Sequence, residues 1–166
     1  MIEQAELALA ASLPIEPGGR WCLVKDGDSR ARQLHQRHYS KYKYVDGRES
    51  KLFVGPGGKF VMITGDNAAL FVWRKFINDA GQTGINCAVF RNEGTERSSS
   101  LIEEADRIAW AKWPTEPRHY TYVNGARIRS SNPGYCFLAA GWKRAGKSKG
   151  GLHILAIAGR SAQPHD

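Results

Sequence analysis

The stretch Gly84–Pro114, GINCAVFRNEGTERSSSLIEEADRIAWAKWP, decides how the rest of the chain is read. Its opening, Ile85 to Phe90, is an apolar-rich run of strand length. A charged turn with one glycine, Gly94, follows. Three serines then open a run in which Leu101, Ile102, Ala105, Ile108, Ala109 and Trp113 recur at helical spacing. Ser100 and Glu103 have the spacing of a capping box, which places the predicted N-cap at Ser100, and Pro114 and Pro117 end the helix. Strand, polar turn and helix N-terminus together make an anion-binding arrangement, because the first helical N–H groups lack intrahelical acceptors and the helix dipole is positive there. Arg91 and Arg97 flank the turn, and guanidinium forks match phosphate oxygens. Many α/β units share this outline with nothing bound, so the remainder of the chain must identify the anion.

At 166 residues the chain is long enough for one domain with an ordinary core. We expect an N-terminal extension over 1–19, a single catalytic domain over 20–160 and a tail over 161–166. Cys22, Cys87 and Cys136 are odd in number and far apart, which points to reduced, buried thiols rather than a disulfide framework or a zinc site. No apolar run reaches membrane-spanning length, and Glu3 and Glu6 stand where a signal peptide would be basic, so the expected location is the cytoplasm, with no membrane partner. The formal charge is +8. Residues 1–19 hold three glutamates and no Lys or Arg, leaving 24 bases against 13 acids, or +11, in the remainder. Positive charge gathers in Arg37-His-Tyr-Ser-Lys-Tyr-Lys-Tyr44, where bases and tyrosines interleave, and in residues 117–165, which carry eight Lys or Arg and no acid. Such stretches are the footprint of a polyanion partner, in which bases replace counterions and rings stack. A merely basic surface is the alternative.

In chain order, Met1–Ser12 suits a short amphipathic helix, and Trp21–Val24 a first strand. Asp28 or Ser29 caps a helix bearing Ala31, Leu34, His35, His38 and Tyr39. His35 and His38 share a face at a metal-ligand spacing, though without a third ligand they read equally as a surface or core pair. Leu52 to Lys59 is a loop. Lys59–Thr64 and Leu70–Phe76 form a hairpin across Gly65-Asp66-Asn67, and Asn78–Gly84 turns into the Ile85 strand, which makes an antiparallel meander. His119–Val123 is another strand. Asn132-Pro-Gly opens a short helix through Gly141, and a Gly- and Lys-rich loop, Gly146–Gly151, leads to a closing strand, Leu152–Ala158.

This order of elements resembles the GNAT fold of acetyl-CoA-dependent N-acyltransferases, which implies an α+β fold: a mixed, largely antiparallel twisted sheet with helices on both faces. The family's pyrophosphate loop reads Arg or Gln, two residues, Gly, one residue, Gly or Ala. Here Arg91 and Gly94 match, while Glu96 replaces the second small residue. The family's C-terminal tyrosine, which protonates the departing thiolate, corresponds to Phe137, which has no proton to give. A narrower resemblance rests on the words RHYS, VGPG, NCAVFRNEG, SSSLIEEAD, HYTYV and SNPGYCFLAAGWKRAGKSKGGL, spread over Gln36–Ile157. They are similar to those of the Mom-type DNA-modification proteins of Mu-like phages, a divergent GNAT-type group. That likeness implies a phage- or prophage-encoded enzyme, acetyl-CoA as donor, double-stranded DNA as acceptor, and a carbamoylmethyl-type adduct on the exocyclic amine of adenine that blocks host restriction. The first 19 residues lie outside it.

An enzyme acting on adenine in a duplex must swing the base out and hold its flanks. Candidates for DNA contact are Arg37, Lys41, Tyr42, Lys43 and Tyr44, with Lys143, Arg144, Lys147 and Lys149 in the final loop. The amine is a poor nucleophile, so a base or a polarising group is needed within reach. His38, Tyr39, Ser40 and Asn92 are the catalytic candidates, His38 having the ordinary pKa best suited to a base near neutrality. Phe90, Arg91, Gly94, Arg97, Ser98, Ser99, Ser100, Asn132 and Tyr135 are the candidates for holding the CoA thioester. Iron held through His35 or His38 is conceivable, but the spacing does not support it. Two alternatives stand beside this reading: a GNAT acting on a small amine or a protein lysine, and a DNA-binding protein that kept the fold and lost the coenzyme.

Overall fold

The computed structural model describes residues 13–37, 58–75, 82–125 and 134–159. Among the described residues ten elements follow one another: β1 (Trp21–Val24), α1 (Ser29–Gln36), β2 (Gly58–Thr64), β3 (Ala69–Lys75), β4 (Ile85–Asn92), α2 (Ser98–Lys112), β5 (Arg118–Val123), α3 (Tyr135–Ala139), β6 (Lys143–Lys147) and β7 (His153–Ala158). The strands form one seven-stranded sheet in the order β1-β2-β3-β4-β5-β7-β6. Among the described pairs only β4 and β5 run parallel, and the chain passes between them through α2, the kind of crossover a parallel pair needs. This is the mixed α+β sheet that the order of elements predicts.

Two apolar clusters lie on opposite faces. One joins Ala31 and Leu34 of α1 to Val61, Ile63, Leu70, Val72 and Val89. The larger joins α2 and α3 to Trp21, Phe71, Trp73, Ile85, Cys87, Val123 and Leu155. Of the two candidates Asp28 and Ser29, Asp28 caps α1, its carboxylate accepting from the amides of Arg30 and Ala31 at 2.9 and 3.3 Å. Those contacts and the Arg30 guanidinium hold its carboxyl below the usual range despite partial burial.

The predicted N-cap of α2 is displaced. Helix α2 begins at Ser98 with Arg97 as N-cap, so Ser100 is its third residue and no side chain caps it. The reason lies in the turn. Asn92 Nδ2 donates to the Glu96 carbonyl at 2.7 Å and to Ser98 Oγ at 3.0 Å, which fixes the chain in helical entry before Ser100 is reached. A missing cap costs about 1 kcal/mol. Burying each of Leu101, Ile102 and Ile108 is worth about 1.5–3 kcal/mol, so packing decides that the helix forms and leaves its first amides open.

The Gly- and Lys-rich loop expected over Gly146–Gly151 is a turn from 148 onward, but its first two residues end a strand not expected from the sequence. Lys143–Lys147 forms β6, antiparallel to β7, and only 148–152 turn between them. All five β6 residues are exposed, so an edge strand facing water on both sides shows no apolar alternation by which sequence could reveal it. Gly134, the N-cap of α3, has φ 78°, and a Cβ there would lie 2.3 Å from Leu155 Cδ1; glycine is required for this helix to close on β7. The expected helix over 1–12, the loop over 52–57, the turn over 78–81, and Asn132 and Pro133 fall outside the described residues. No described helix is long and apolar enough to cross a membrane, and the three cysteines are thiols.

Candidate functional site

The site is organised by an irregularity in β4. Val72 pairs with Val89 and Trp73 with Cys87, so Ala88 is an extra residue opposite β3, a β-bulge. The parallel pairing of β4 with β5 covers Ile85, Asn86 and Cys87 against His119, Tyr120 and Thr121, and stops where the bulge begins. Beyond it, among the described residues, Val89–Asn92 pair with β3 alone, while β5 continues to Val123 beside β7. A bulged strand bends and twists, and here the bend opens β4 against β5. Thr121 Oγ1 donates to the Cys87 carbonyl at 2.9 Å, satisfying an oxygen at the point of parting.

The bulge also inverts which residues face which helix. Ile85 and Cys87 face the α2 side, Val89 the α1 side, and Phe90 the α2 side again, where it meets Phe137 edge-on at 5.9 Å and Phe71 at 5.5 Å. Phe137 is 6 % exposed and packed also on Trp142 at 4.8 Å.

At the open end of β4 the turn 93–97 is held by Asn92, whose Oδ1 accepts from the Gly94 amide at 2.9 Å while Nδ2 makes the two bonds already described. Asn92, expected among the catalytic residues, thus has its side chain committed to shaping the turn. A Cβ on Gly94 would come within 2.8 Å of Ala68 Cβ, so this glycine serves the contact with the β2–β3 hairpin. The amides of Ser98, Ser99 and Ser100 have no intrahelical acceptor, since the first helical bond is Leu101 to the Arg97 carbonyl.

The two glutamates of the turn, an apparent obstacle to an anion site, are each met by arginine. Glu96 pairs with Arg20 at 3.0 Å. Glu93 takes the Arg37 fork at 2.6 and 2.9 Å and the Arg91 guanidinium, and these two arginines hold its carboxyl down to about 2. Arg91 Nη1 also donates to the Arg37 carbonyl at 2.7 Å. With Arg97, four arginines stand against two glutamates, and the turn remains net positive.

The far side of the site is the β6–β7 hairpin. Val123 at the end of β5 pairs with His153, and His153 with Lys147, so the hairpin turn lies at the same end of the sheet as the opening. Lys143, Arg144, Lys147 and Lys149 are exposed there, on an edge strand and its turn rather than a loop. His153 alternates with Leu155 and so faces the α2 side. Sequence reasoning passed over it, although a histidine opening an apolar closing strand is a signal. Tyr135 stands 64 % exposed at the start of α3. His35 lies in the last turn of α1. His38, Tyr39, Ser40, Lys41, Tyr42, Lys43, Tyr44 and Asn132 lie outside the described residues. Among the described residues, no group of three or more His, Cys, Asp or Glu converges as a metal site.

No family model matches the chain, and no curated protein matches it. Among solved structures it is similar to a spermidine N-acetyltransferase SpeG chimera from Vibrio cholerae and hSSAT, with a TM-score of 0.52 and 13% identity over 84% of this chain and 96% of that one. The chain therefore has the fold of the GNAT acetyltransferases.

Proposed function

We propose that this chain is a CoA-thioester-dependent acyltransferase that modifies the exocyclic amine of adenine in double-stranded DNA. The observation that carries the transferase reading is the Ala88 bulge, where β4 leaves β5 beside the uncapped N-terminus of α2. The open edge of Val89–Asn92 has backbone groups for an extended pantetheine chain, and the amides and hydroxyls of Ser98, Ser99 and Ser100, with Arg97, suit a pyrophosphate. When bound, acetyl-CoA supplies an activated acyl thioester. The chain's own part is to hold the donor along β4, keep the turn positive and exclude water with Phe90 and Phe137. Phe137 has no proton to give, so a hydroxyl or imidazole at the opening, Tyr135 or His153, is proposed to take the family tyrosine's place.

The DNA acceptor is supported by the sequence resemblance, by the +11 body and by the basic hairpin at the mouth of the opening. Direct transfer would form the bond from adenine N6 to the acyl carbon, break the thioester C–S bond and release CoA as its thiol, with His38 taking the amine proton; the carbamoylmethyl-type adduct of the resembled phage proteins would need in addition a nitrogen donor and a two-electron oxidant. A second reading, N-acylation of a small amine, is favoured by the fold shared with a spermidine N-acetyltransferase. Mass spectrometry of nucleosides from cells expressing the chain, beside a His38→Ala form, separates the two. A heavier deoxyadenosine made only by the unaltered protein supports DNA modification. Unmodified DNA together with acetyl-CoA binding moves the assignment to a small amine.

A further inference from the structure

Beyond the bulge, β4 presents its two faces to different chemistry. Phe90 and Asn92 point to the α2 side, where Asn92 reaches Ser98 at 3.0 Å. Arg91, between them, points to the α1 side and meets Arg37, the C-cap of α1. The Arg37–Glu93–Arg91 cluster therefore lies across the sheet from the amides of α2.

We propose that Arg37 and Arg91 form a second phosphate cradle, on the α1 face, that receives a backbone phosphate of the acceptor and is held closed by Glu93 until then. The proposal rests on the nucleic-acid acceptor argued above. Two guanidinium groups converge on one carboxylate, and a phosphodiester offers the same pair of anionic oxygens to them. Arg91 does not depend on Glu93 alone for its place, because its Nη1 is tied to the Arg37 carbonyl at 2.7 Å, a bond that also satisfies an end of α1, while the Arg37 guanidinium is held by Glu93. Nor does the turn depend on the Glu93 side chain, since its main-chain amide is held by the Ala68 carbonyl at 2.8 Å. On this proposal the carboxylate swings out while the backbone and Arg91 stay, and the Arg37 fork turns to the incoming phosphate. Side-chain exposures of 49% for Arg37, 32% for Arg91 and 28% for Glu93 put the exchange within reach of solvent. Phosphate and carboxylate compete for one place, so the native chain binds its acceptor more weakly than the arginines alone would allow.

The test compares binding of a labelled duplex, by fluorescence anisotropy across a salt series, with binding of acetyl-CoA by calorimetry. Glu93→Gln is expected to tighten duplex binding about tenfold at low salt and steepen the logarithmic salt dependence by about one. Its acetyl-CoA affinity should stay within about twofold. Adding Arg91→Gln should return duplex affinity to the native level or below. Glu96→Gln makes the same change in net charge outside the cradle and should give about twofold or less. An equal gain from Glu96→Gln, or none from Glu93→Gln, overturns the cradle. A gain confined to acetyl-CoA and absent with dephospho-CoA overturns the acceptor assignment and gives the cradle to the coenzyme. Glu93→Asp keeps the charge but shortens the reach, and should give part of the gain with unchanged melting; a variant that melts early and binds more weakly overturns the proposal in favour of a structural clamp. Native protein that binds no acetyl-CoA instead overturns the acyltransferase reading, whatever Glu93 does.

Discussion

The two ends of α2 handle polar groups in opposite ways. At its N-terminus, amides are left open and the surrounding charges are exposed, as in Arg20 with Glu96 at 52% and 43% exposure. Toward its C-terminus, Asp106 is buried and doubly bonded, to His119 Nδ1 at 2.7 Å and Trp142 Nε1 at 2.8 Å. His119 is fully buried, stacked on Trp110 at 3.5 Å and tilted against Trp73 at 4.5 Å. This network ties α2 to β5 and to the start of β6. Glu104 works similarly, accepting from the Arg20 and Trp21 amides at 2.9 Å to fasten β1 to the helix. One helix is thus locked at its base and left available at its tip. Buried polar groups hold the frame, and open ones are placed to meet a ligand.

The largest expected effect comes from breaking the locked end. Asp106→Ala leaves two buried donors without partners and should lower unfolding free energy by about 3–5 kcal/mol in urea titrations. Its folded fraction should still bind acetyl-CoA, because Asp106 lies eight residues beyond Ser98, about 12 Å along the helix. At the open end, Asn92→Ala removes all three bonds that shape the turn and should weaken acetyl-CoA binding about tenfold, read by calorimetry, with a smaller loss of stability.

A pH series sharpens the contrast. Burial holds His119 below its ordinary 6.5, so the unfolded chain takes up a proton that the native chain refuses, and stability falls as pH drops through that value. Burial raises Asp106 above 3.8, so the native chain keeps a proton that the unfolded chain has lost, which opposes the fall between its folded value and 3.8. A His119→Phe form should lose less stability than the native chain between about pH 7.5 and 5.5 in urea melts. The smallest effect is at the exposed pair: Glu96→Gln should change stability by less than about 1 kcal/mol.

The meander of β2, β3 and β4, the buried face of α2, a cap at Asp28 or Ser29 and the positive balance of the chain were legible in the residues alone, because each rests on local periodicity or on counting. Helix α2 was misplaced by three residues at its start, since Ser100–Glu103 is a local signal and the side chain of Asn92 overrode it. Strand β6 was missed because an edge exposed on both faces carries no apolar period. The site itself came from long-range pairing. The Ala88 bulge is defined by its partner strand, Arg37 meets Glu93 across 56 residues, and Asp106 finds Trp142 across 36. Such pairings exist only once the sheet has formed, because register and opposing faces are properties of packed strands and not of neighbouring residues.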